Sequence, residues 1–458
     1  MPLDSNDIPN KQRALVLQGG GALGAYGSGV LTVLCKELAH EFREGPLFDI
    51  VAATSMGAMN AAVLVSNVVN RKKTWEEAAK ELENFWTDEG RGLSSTPGFS
   101  NLWWEQAKMQ KKLSASPEAA RRYYSVKEYL KYGTPNVFLP LPPEPDSKFA
   151  DQDNTWIAHD SSPLQNTIER YSKDENNKEK LSIATSWHNR EPRLLVISVD
   201  VAEGKTVAFD SYHTKAEDPE NSLYEGDGIT IDHVIASGTI PIFYKFREIP
   251  TKGGRKFCDG GILSNTPFRE LLQAHRDYWK RIVGEDKDEI PDLDVYIINV
   301  HPSKQDEVPT DLDGVRDRIN DITFSDRSSR YDEMVADLIT DYKDLVRDYT
   351  NFVDRLKELA KNHLENRGES DIRFQNEFET LLNATQVKSR GGTREQHIKY
   401  QELLKGRFKL TNVIRIEPEG PESYIDSIYG KVGDFTSKTI MSLIEKGKQD
   451  ARRVLKAQ

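Results

Sequence analysis

Residues 14–34 read ALVLQGGGALGAYGSGVLTVL, and residues 48–64 read FDIVAATSMGAMNAAVL. The first stretch opens with the apolar run Ala14 to Leu17 and stops at Gly19, Gly20 and Gly21. Beyond the glycines, Leu23, Tyr26, Val30, Leu34 and Leu38 recur at helical spacing. That order predicts a strand, a glycine turn and a helix. The second stretch predicts a strand over Phe48 to Ala53, which breaks at Thr54-Ser55-Met56-Gly57. It then continues into Ala58, Met59, Ala61, Ala62 and Leu64, good helix formers with one buried face. Ser55 is therefore expected on a tight strand-to-helix turn.

A serine hydroxyl is a poor nucleophile until it is exposed, oriented and relieved of its proton, and a tight turn supplies the exposure. Such a turn needs small flanking residues, because it crowds its neighbours against the next strand and helix. Here Ala53 and Gly57 stand two positions either side of Ser55; the usual pattern has Gly at the first of these, so Ala53 is a mild departure. The following helix also aims its positive N-terminal end at Ser55. Gly19, Gly20 and Gly21 offer backbone N–H groups that suit the oxyanion of acyl transfer. The same glycines, as Gly19-x-Gly21-x-x-Gly24, match the dinucleotide-binding fingerprint, which requires an acid at the end of the second strand. That strand ends in Ala53, Thr54 and Ser55, and its acid, Asp49, lies at the other end. Acyl chemistry is therefore favoured over nucleotide binding, with a purely structural turn as the third reading. A base is offered far downstream in Lys256-Phe257-Cys258-Asp259-Gly260-Gly261, although an acid before two glycines is by itself most often an ordinary turn.

Taken together, the Gly-Gly-Gly turn, the small-x-Ser-x-Gly elbow and the Asp-Gly-Gly turn resemble the patatin-like phospholipases, or lipid acyl hydrolases, in identity, order and spacing. The resemblance extends to Ala236-Ser237-Gly238-Thr239-Ile240-Pro241 and Ser264-Asn265-Thr266-Pro267, and covers roughly Ala14 to Val300. It implies a Ser-Asp dyad, with Ser55 as nucleophile, Asp259 as general base and Gly19 to Gly21 as the oxyanion loop. Gly24, Ala53, Gly57, Gly260 and Gly261 complete the motifs. An ordinary carboxylate, with a pKa of about 3.9, is a weak base for a serine hydroxyl, so Asp259 is expected to be desolvated. Leu23 stands where many members of the family carry Arg or Lys, so the loop itself offers no charge to an anion. The fold implied is a patatin-like three-layer α/β sandwich, with a mostly parallel sheet between helices. The substrate implied is a lipid or another acyl ester, with transient contact to a membrane surface.

At 458 residues the chain can bury a large core. A net charge of -11 argues against nucleic acid as a partner and against strong attraction to anionic membranes. Cys35 and Cys258 provide no disulfide framework, and both read as buried thiols in a reducing compartment. The polar start, Met1 to Gln12, does not resemble a secretory signal, and a cytoplasmic location is the default expectation. The glycines within Ala14 to Leu34 make a membrane span a poor reading of that run. No His, Cys and Asp cluster has metal-ligand spacing, so neither a metal nor any other cofactor is expected. His233, on a short helix, and His397, in a charged region, are poor candidates for the base of a conventional triad.

The expected organisation is a catalytic domain over residues 10–302, with a cap-like insertion at 86–180 that carries Phe99, Leu102, Trp103, Trp104, Tyr123 and Tyr124. Within this domain, strands are expected over Leu181 to Trp187, Arg193 to Val201 and Lys205 to Ser211, and a helix capped at Ser161-Ser162 is expected before them. A helical excursion over 303–408 follows, in which Tyr331, Val335, Leu338, Tyr342, Leu345, Tyr349, Phe352, Leu356 and Leu359 form a heptad seam. Such a seam must be covered, in part by a homodimer contact on this reading. Residues 409–458 are expected to return as a last core strand and a closing helix from Ser437 that packs onto the sheet.

Overall fold

The computed structural model describes residues 8–41, 45–95, 117–141, 159–173, 181–212, 228–241, 243–249, 254–283, 290–304, 308–310, 312–325, 386–389, 396–399, 408, 410–419 and 431–457, with single positions 330, 331, 333, 334, 345 and 355. In chain order its elements are β1 (Lys11–Leu17), α1 (Gly24–Glu41), β2 (Ile50–Thr54), α2 (Met56–Val69), α3 (Trp75–Thr87) and α4 (Pro117–Tyr132). Then come β3 (Leu139–Pro140), β4 (His159–Asp160), α5 (Ser162–Ser172), β5 (Ser182–Ile183), β6 (Arg193–Asp200), β7 (Lys205–Asp210) and β8 (Ile229–Thr230). They are followed by α6 (Ile231–Ser237), β9 (Arg247–Glu248), β10 (Lys256–Asp259), α7 (Phe268–Val283), β11 (Asp292–Ile298) and α8 (Leu312–Phe324). The last are β12 (Gln386–Ser389), β13 (Gln396–Lys399), β14 (Leu410–Ile416) and α9 (Ser437–Lys456).

The main sheet has the order β14-β11-β1-β2-β6-β10-β9, with β7 also paired to β6. It is a mostly parallel α/β sheet flanked by helices. Strands β2 and β6 are buried along their whole length, which suits central strands covered on both faces. By contrast β7 alternates between covered and open positions, the pattern of a strand with one covered face. The turn at 201–204 joins β6 and β7 as an antiparallel hairpin.

The chain divides into two compact units. The larger comprises Arg13–Leu271, Val295–Ser329 and Val413–Gln458, and holds β2, β6, β10 and their helices. In the smaller, which comprises Met1–Gln12, Leu272–Asp294 and Arg330–Asn412, the Trp279 indole donates to Gln12 Oε1 (2.7 Å) and Lys11 pairs with Asp294 (2.6 Å). Apart from Tyr331, Leu345 and residues 330, 333, 334 and 355, the heptad seam and its neighbourhood lie outside the described residues. Tyr331 and Leu345 are exposed. Phe99, Leu102, Trp103 and Trp104 of the expected cap also lie outside them, whereas Tyr123 and Tyr124 sit edge to face on α4, with ring centroids 5.5 Å apart.

Three local expectations are corrected. The strand expected over Leu181 to Trp187 shrinks to Ser182–Ile183, because Ser186 Oγ accepts the Asn189 N–H and turns the chain into a short 3-10 helix at Trp187–Asn189. Helix α5 is not capped by the Ser161 side chain; the preceding Asp160 carboxylate accepts the Ser162 N–H (2.9 Å) and hydroxyl (2.7 Å). The closing helix α9 packs chiefly on α1, not directly on the sheet. The two helices approach backbone to backbone: a β-carbon at Gly29 would lie 2.0 Å from Ile444 O, and one at Gly447 would lie 2.2 Å from Tyr26 O. Glycine on both helices permits this approach, and Tyr26 Oη donates across it to Asp450 Oδ2 (3.1 Å). Helix α3 starts with a reciprocal capping box between Thr74 and Glu77.

Candidate active site

The site is made where two strand tips meet on one edge of β6. Strand β2 runs parallel to β6, and its register ends with Thr54 opposite Ile197. Strand β10 approaches antiparallel from the other direction and ends with Asp259 opposite Ser198, the next residue along. Because β7 pairs with residues 195–200 of β6, it takes the other edge, and β2 and β10 share this one end to end. Ser55 leaves one tip and Asp259 closes the other. The Ser55 hydroxyl donates to Asp259 Oδ2 at 2.7 Å, across 204 residues of sequence.

Close packing explains the small residues at this junction. A β-carbon at Gly57 would lie 2.5 Å from Leu17 O, and one at Gly260 would lie 2.4 Å from Ile197 O. Both are backbone atoms of the sheet, so no side chain could move aside to make room. Ala53 is fully buried between β1 and β6. Gly24 lies against Met56 and the Trp86 indole, and Gly19 lies against the Ser55 side chain.

Ser55 itself has φ 55° and ψ −128°, a conformation that costs a non-glycine residue about 1–3 kcal/mol and is typical of residues held for function. Its N–H donates to Ser237 Oγ (2.9 Å), and that hydroxyl donates onward to Ile197 O. Ser55 O accepts the N–H groups of Ala58 (2.9 Å) and Met59 (3.2 Å), so the residue caps α2 through its backbone and leaves its hydroxyl for Asp259. Asp259 is buried, and loss of solvent pushes its pKa up to about 6. The Gly261 N–H (2.7 Å, to Oδ1) and the Ser55 hydroxyl oppose that rise. A carboxylate near 6 is a better proton acceptor than an ordinary one, and it remains ionised at neutral pH.

The glycine turn divides in a way its sequence does not announce. The Gly19 N–H donates to Asn265 O (3.2 Å), so it is already engaged, contrary to its expected place among the oxyanion donors. Among the described residues the N–H groups of Gly20 and Gly21 have no hydrogen-bond partner. The turn is fixed from below by Gln18, whose Oε1 accepts the N–H groups of Val300 (2.7 Å) and His301 (2.9 Å) and whose Nε2 donates to Thr266 Oγ1 (2.8 Å). Asn265 Nδ2 donates to Gly19 O (3.1 Å) and Phe324 O (2.9 Å). Gln18 carried no sequence signal beyond its place before the glycines. Ser237 and Asn265 lay in segments that the family resemblance included, but without a role.

The other candidates have other partners and places. His233 is buried, its Nδ1 accepts the Thr230 N–H (2.9 Å), and burial pushes its pKa down to about 4. His397 belongs to the β12–β13 hairpin of the smaller unit. Asp49, the acid that a nucleotide site would need, accepts the Arg13 N–H (2.7 Å) at the start of β2. Leu23 is in the core, and Cys35 and Cys258 are both buried and free. Among the described residues no group of three or more His, Cys, Asp or Glu could hold a metal ion, and no helix is long and apolar enough to cross a membrane.

This sheet and elbow agree with the family comparison: residues 15–272, more than half of the chain, match the model of the patatin-like phospholipases. The chain belongs to that family, which places it among the lipid acyl hydrolases. Among solved structures the chain is similar to VipD from Legionella pneumophila at 14% identity and a TM-score of 0.30, over 96% of this chain and 67% of that one. It is also similar to the type III effector protein ExoU at 14% identity and a TM-score of 0.20, over 53% of this chain and 43% of that one. No curated protein matches the sequence.

Proposed function

We propose that this chain hydrolyses carboxylic esters of lipids through a Ser55–Asp259 dyad and an acyl-enzyme. The observation that carries the reading is the 2.7 Å hydrogen bond from the Ser55 hydroxyl to a buried carboxylate, made at the N-terminus of α2. Ser55 Oγ attacks the ester carbonyl as Asp259 Oδ2 takes its proton. The carbonyl oxygen becomes an oxyanion facing the N–H groups of Gly20 and Gly21, with the positive end of α2 nearby. On collapse the ester C–O bond breaks, and Asp259 returns the proton to the leaving alcohol. Water then attacks the acyl-enzyme, gives its proton to Asp259, and the acid is released as that proton passes back to Ser55 Oγ. Neither a metal nor a nucleotide enters these steps.

A lipid rather than a small polar ester is favoured by Ile262 and Leu263, which follow Gly261 directly and are half exposed. Two exposed apolar side chains directly after the Asp-Gly-Gly turn suit an acyl chain or transient contact with a lipid surface. The negative net charge and the buried Leu23 offer no cation at this turn for an anionic headgroup, so neutral acyl esters suit the site at least as well as phospholipids.

The test is hydrolysis of p-nitrophenyl butyrate, a monoacylglycerol and a phosphatidylcholine, together with fluorophosphonate labelling. Ser55→Ala is expected to lose the label and about 10³- to 10⁶-fold in kcat, the range seen when a nucleophile is removed. Wild-type hydrolysis by Ser55→Ala would overturn the assignment.

A further inference from the structure

Behind the glycine turn lies a group of charged side chains that the dyad does not use. His301 Nδ1 meets Asp321 Oδ1 at 3.1 Å, and Lys431 Nζ donates to Asp321 Oδ2 at 2.6 Å. All three side chains are nearly inaccessible, at 2%, 5% and 6% exposed. They come from three separate parts of the larger unit: the end of β11, the α8 helix and the turn Lys431–Gly433 that precedes α9. Burying an ammonium and a carboxylate costs several kcal/mol of desolvation per ion, and apolar side chains would often serve stability as well. A buried pair is therefore weak evidence for stability and invites another explanation.

Its surroundings supply one. His301 packs against the glycine turn, where its Nε2 would lie 3.3 Å from a β-carbon at Gly20. The Val432 carbonyl, one residue beyond Lys431, would lie 2.3 Å from a β-carbon at Gly21, where φ is +54°. The two glycines whose N–H groups have no partner are thus backed by His301 on one and by the Lys431–Gly433 turn on the other. Asp321 ties these two supports together.

We infer that Lys431, Asp321 and His301 are positioning residues that hold the Gly20 and Gly21 N–H groups in the geometry required by the oxyanion. The turn before the closing helix is thereby a working part of the active site. This inference rests on the ester-hydrolase reading above. Oxyanion donors act on the transition state, so loosening them lowers kcat and leaves binding of the ground state almost untouched. A displacement near 1 Å costs about 10²-fold when it misplaces a catalytic group.

The experiment measures kcat and KM on p-nitrophenyl butyrate per active site titrated with fluorophosphonate, for Lys431→Met, Lys431→Arg and His301→Gln. Lys431→Met and His301→Gln are expected to lower kcat about ten- to hundredfold, with KM within about twofold of wild type. Lys431→Arg, which can still pair with Asp321, is expected to recover most of the loss. A network that only holds the fold together would reduce the number of titratable sites and leave kcat per site unchanged, and that result overturns the inference. If Lys431→Met does not fold, the neutral His301→Gln decides the matter alone. Ser55→Ala serves as the reference: a dead Ser55→Ala beside unaffected His301→Gln and Lys431→Met sinks the positioning role but not the dyad, whereas an active Ser55→Ala sinks both.

Discussion

Asp259 and Asp321 are both buried carboxylates of the larger unit, one facing the nucleophile and the other joined to His301 and Lys431. At Asp259 the partners are neutral, the Ser55 hydroxyl and the Gly261 N–H, and desolvation prevails, so the pKa rises to about 6. At Asp321 burial also acts upward, but the hydrogen bond from His301 and the charge of Lys431 outweigh it and hold the carboxyl below its ordinary range. Burial alone therefore does not decide the protonation of a carboxylate. Neutral donors soften its cost, while a neighbouring cation reverses it. The carboxylate left without a cation is the one to which a proton must be delivered.

Substitution to Asn should separate the two most sharply. Asp259→Asn removes the base and is expected to lose about 10³-fold or more in kcat, close to the loss from removing the nucleophile. Its stability should move the other way. The folded pKa of Asp259, about 6, exceeds the unfolded value of about 3.9, so the native state holds the proton more tightly. Stability therefore falls as pH rises through that window, by up to about 3 kcal/mol. At pH near 8 Asp259→Asn should resist urea at least as well as wild type. Asp321 has the opposite sign: its lowered folded pKa contributes stability that is present above the unfolded pKa and lost as pH falls through the folded one. Asp321→Asn strands the buried Lys431 charge and should cost about 3–5 kcal/mol at neutral pH. Urea unfolding of both variants checks this, and a shift of the same sign in each would dissolve the distinction.

A pH profile sharpens the comparison further. The dyad works only with Asp259 ionised, so kcat/KM on a short ester should fall about tenfold per pH unit below an apparent pKa near 6. His301→Gln should lower the plateau and leave this limb in place, because it acts on the donors and not on the base. A limb near 4 would mean that the carboxylate is solvated in the working enzyme.

The elbow and the glycine turn were legible because each is written in local periodicity: Ala14 to Leu17 before the glycines, and small residues around Ser55. The meeting of β2 and β10 was not, since it depends on the register of both against β6, at Ile197 and Ser198, which no local pattern encodes. The closing helix showed its apolar stripe, but its target depended on two glycines, Gly29 and Gly447, separated by most of the chain. His301, Asp321 and Lys431 were illegible for a related reason. Each is an ordinary polar residue in its own segment, and only the fold brings them together. At the start of α5 the serines drew the eye, and the capping role of the preceding Asp160 showed only in the structure.

The smallest effect is expected at Ser237, where hydrogen bonding rather than charge holds the site. Its hydroxyl stands between the two strand tips, accepting the Ser55 N–H and donating to Ile197 O, the carbonyl against which Gly260 is pressed. Ser237→Ala leaves both of those backbone groups without this partner, at a cost of about 1–3 kcal/mol if water does not replace it. The positive φ of Ser55 would also lose one of its restraints, while the Ser55 to Asp259 hydrogen bond remains. A drop in kcat of a few fold should therefore accompany the loss of stability, far less than for either dyad residue. Urea unfolding and turnover per titrated site measure the two effects separately. A stability loss with full turnover would show that the hydroxyl joins the strands without shaping the elbow, and that the dyad hydrogen bond and the backbone cap of α2 suffice to keep Ser55 in place.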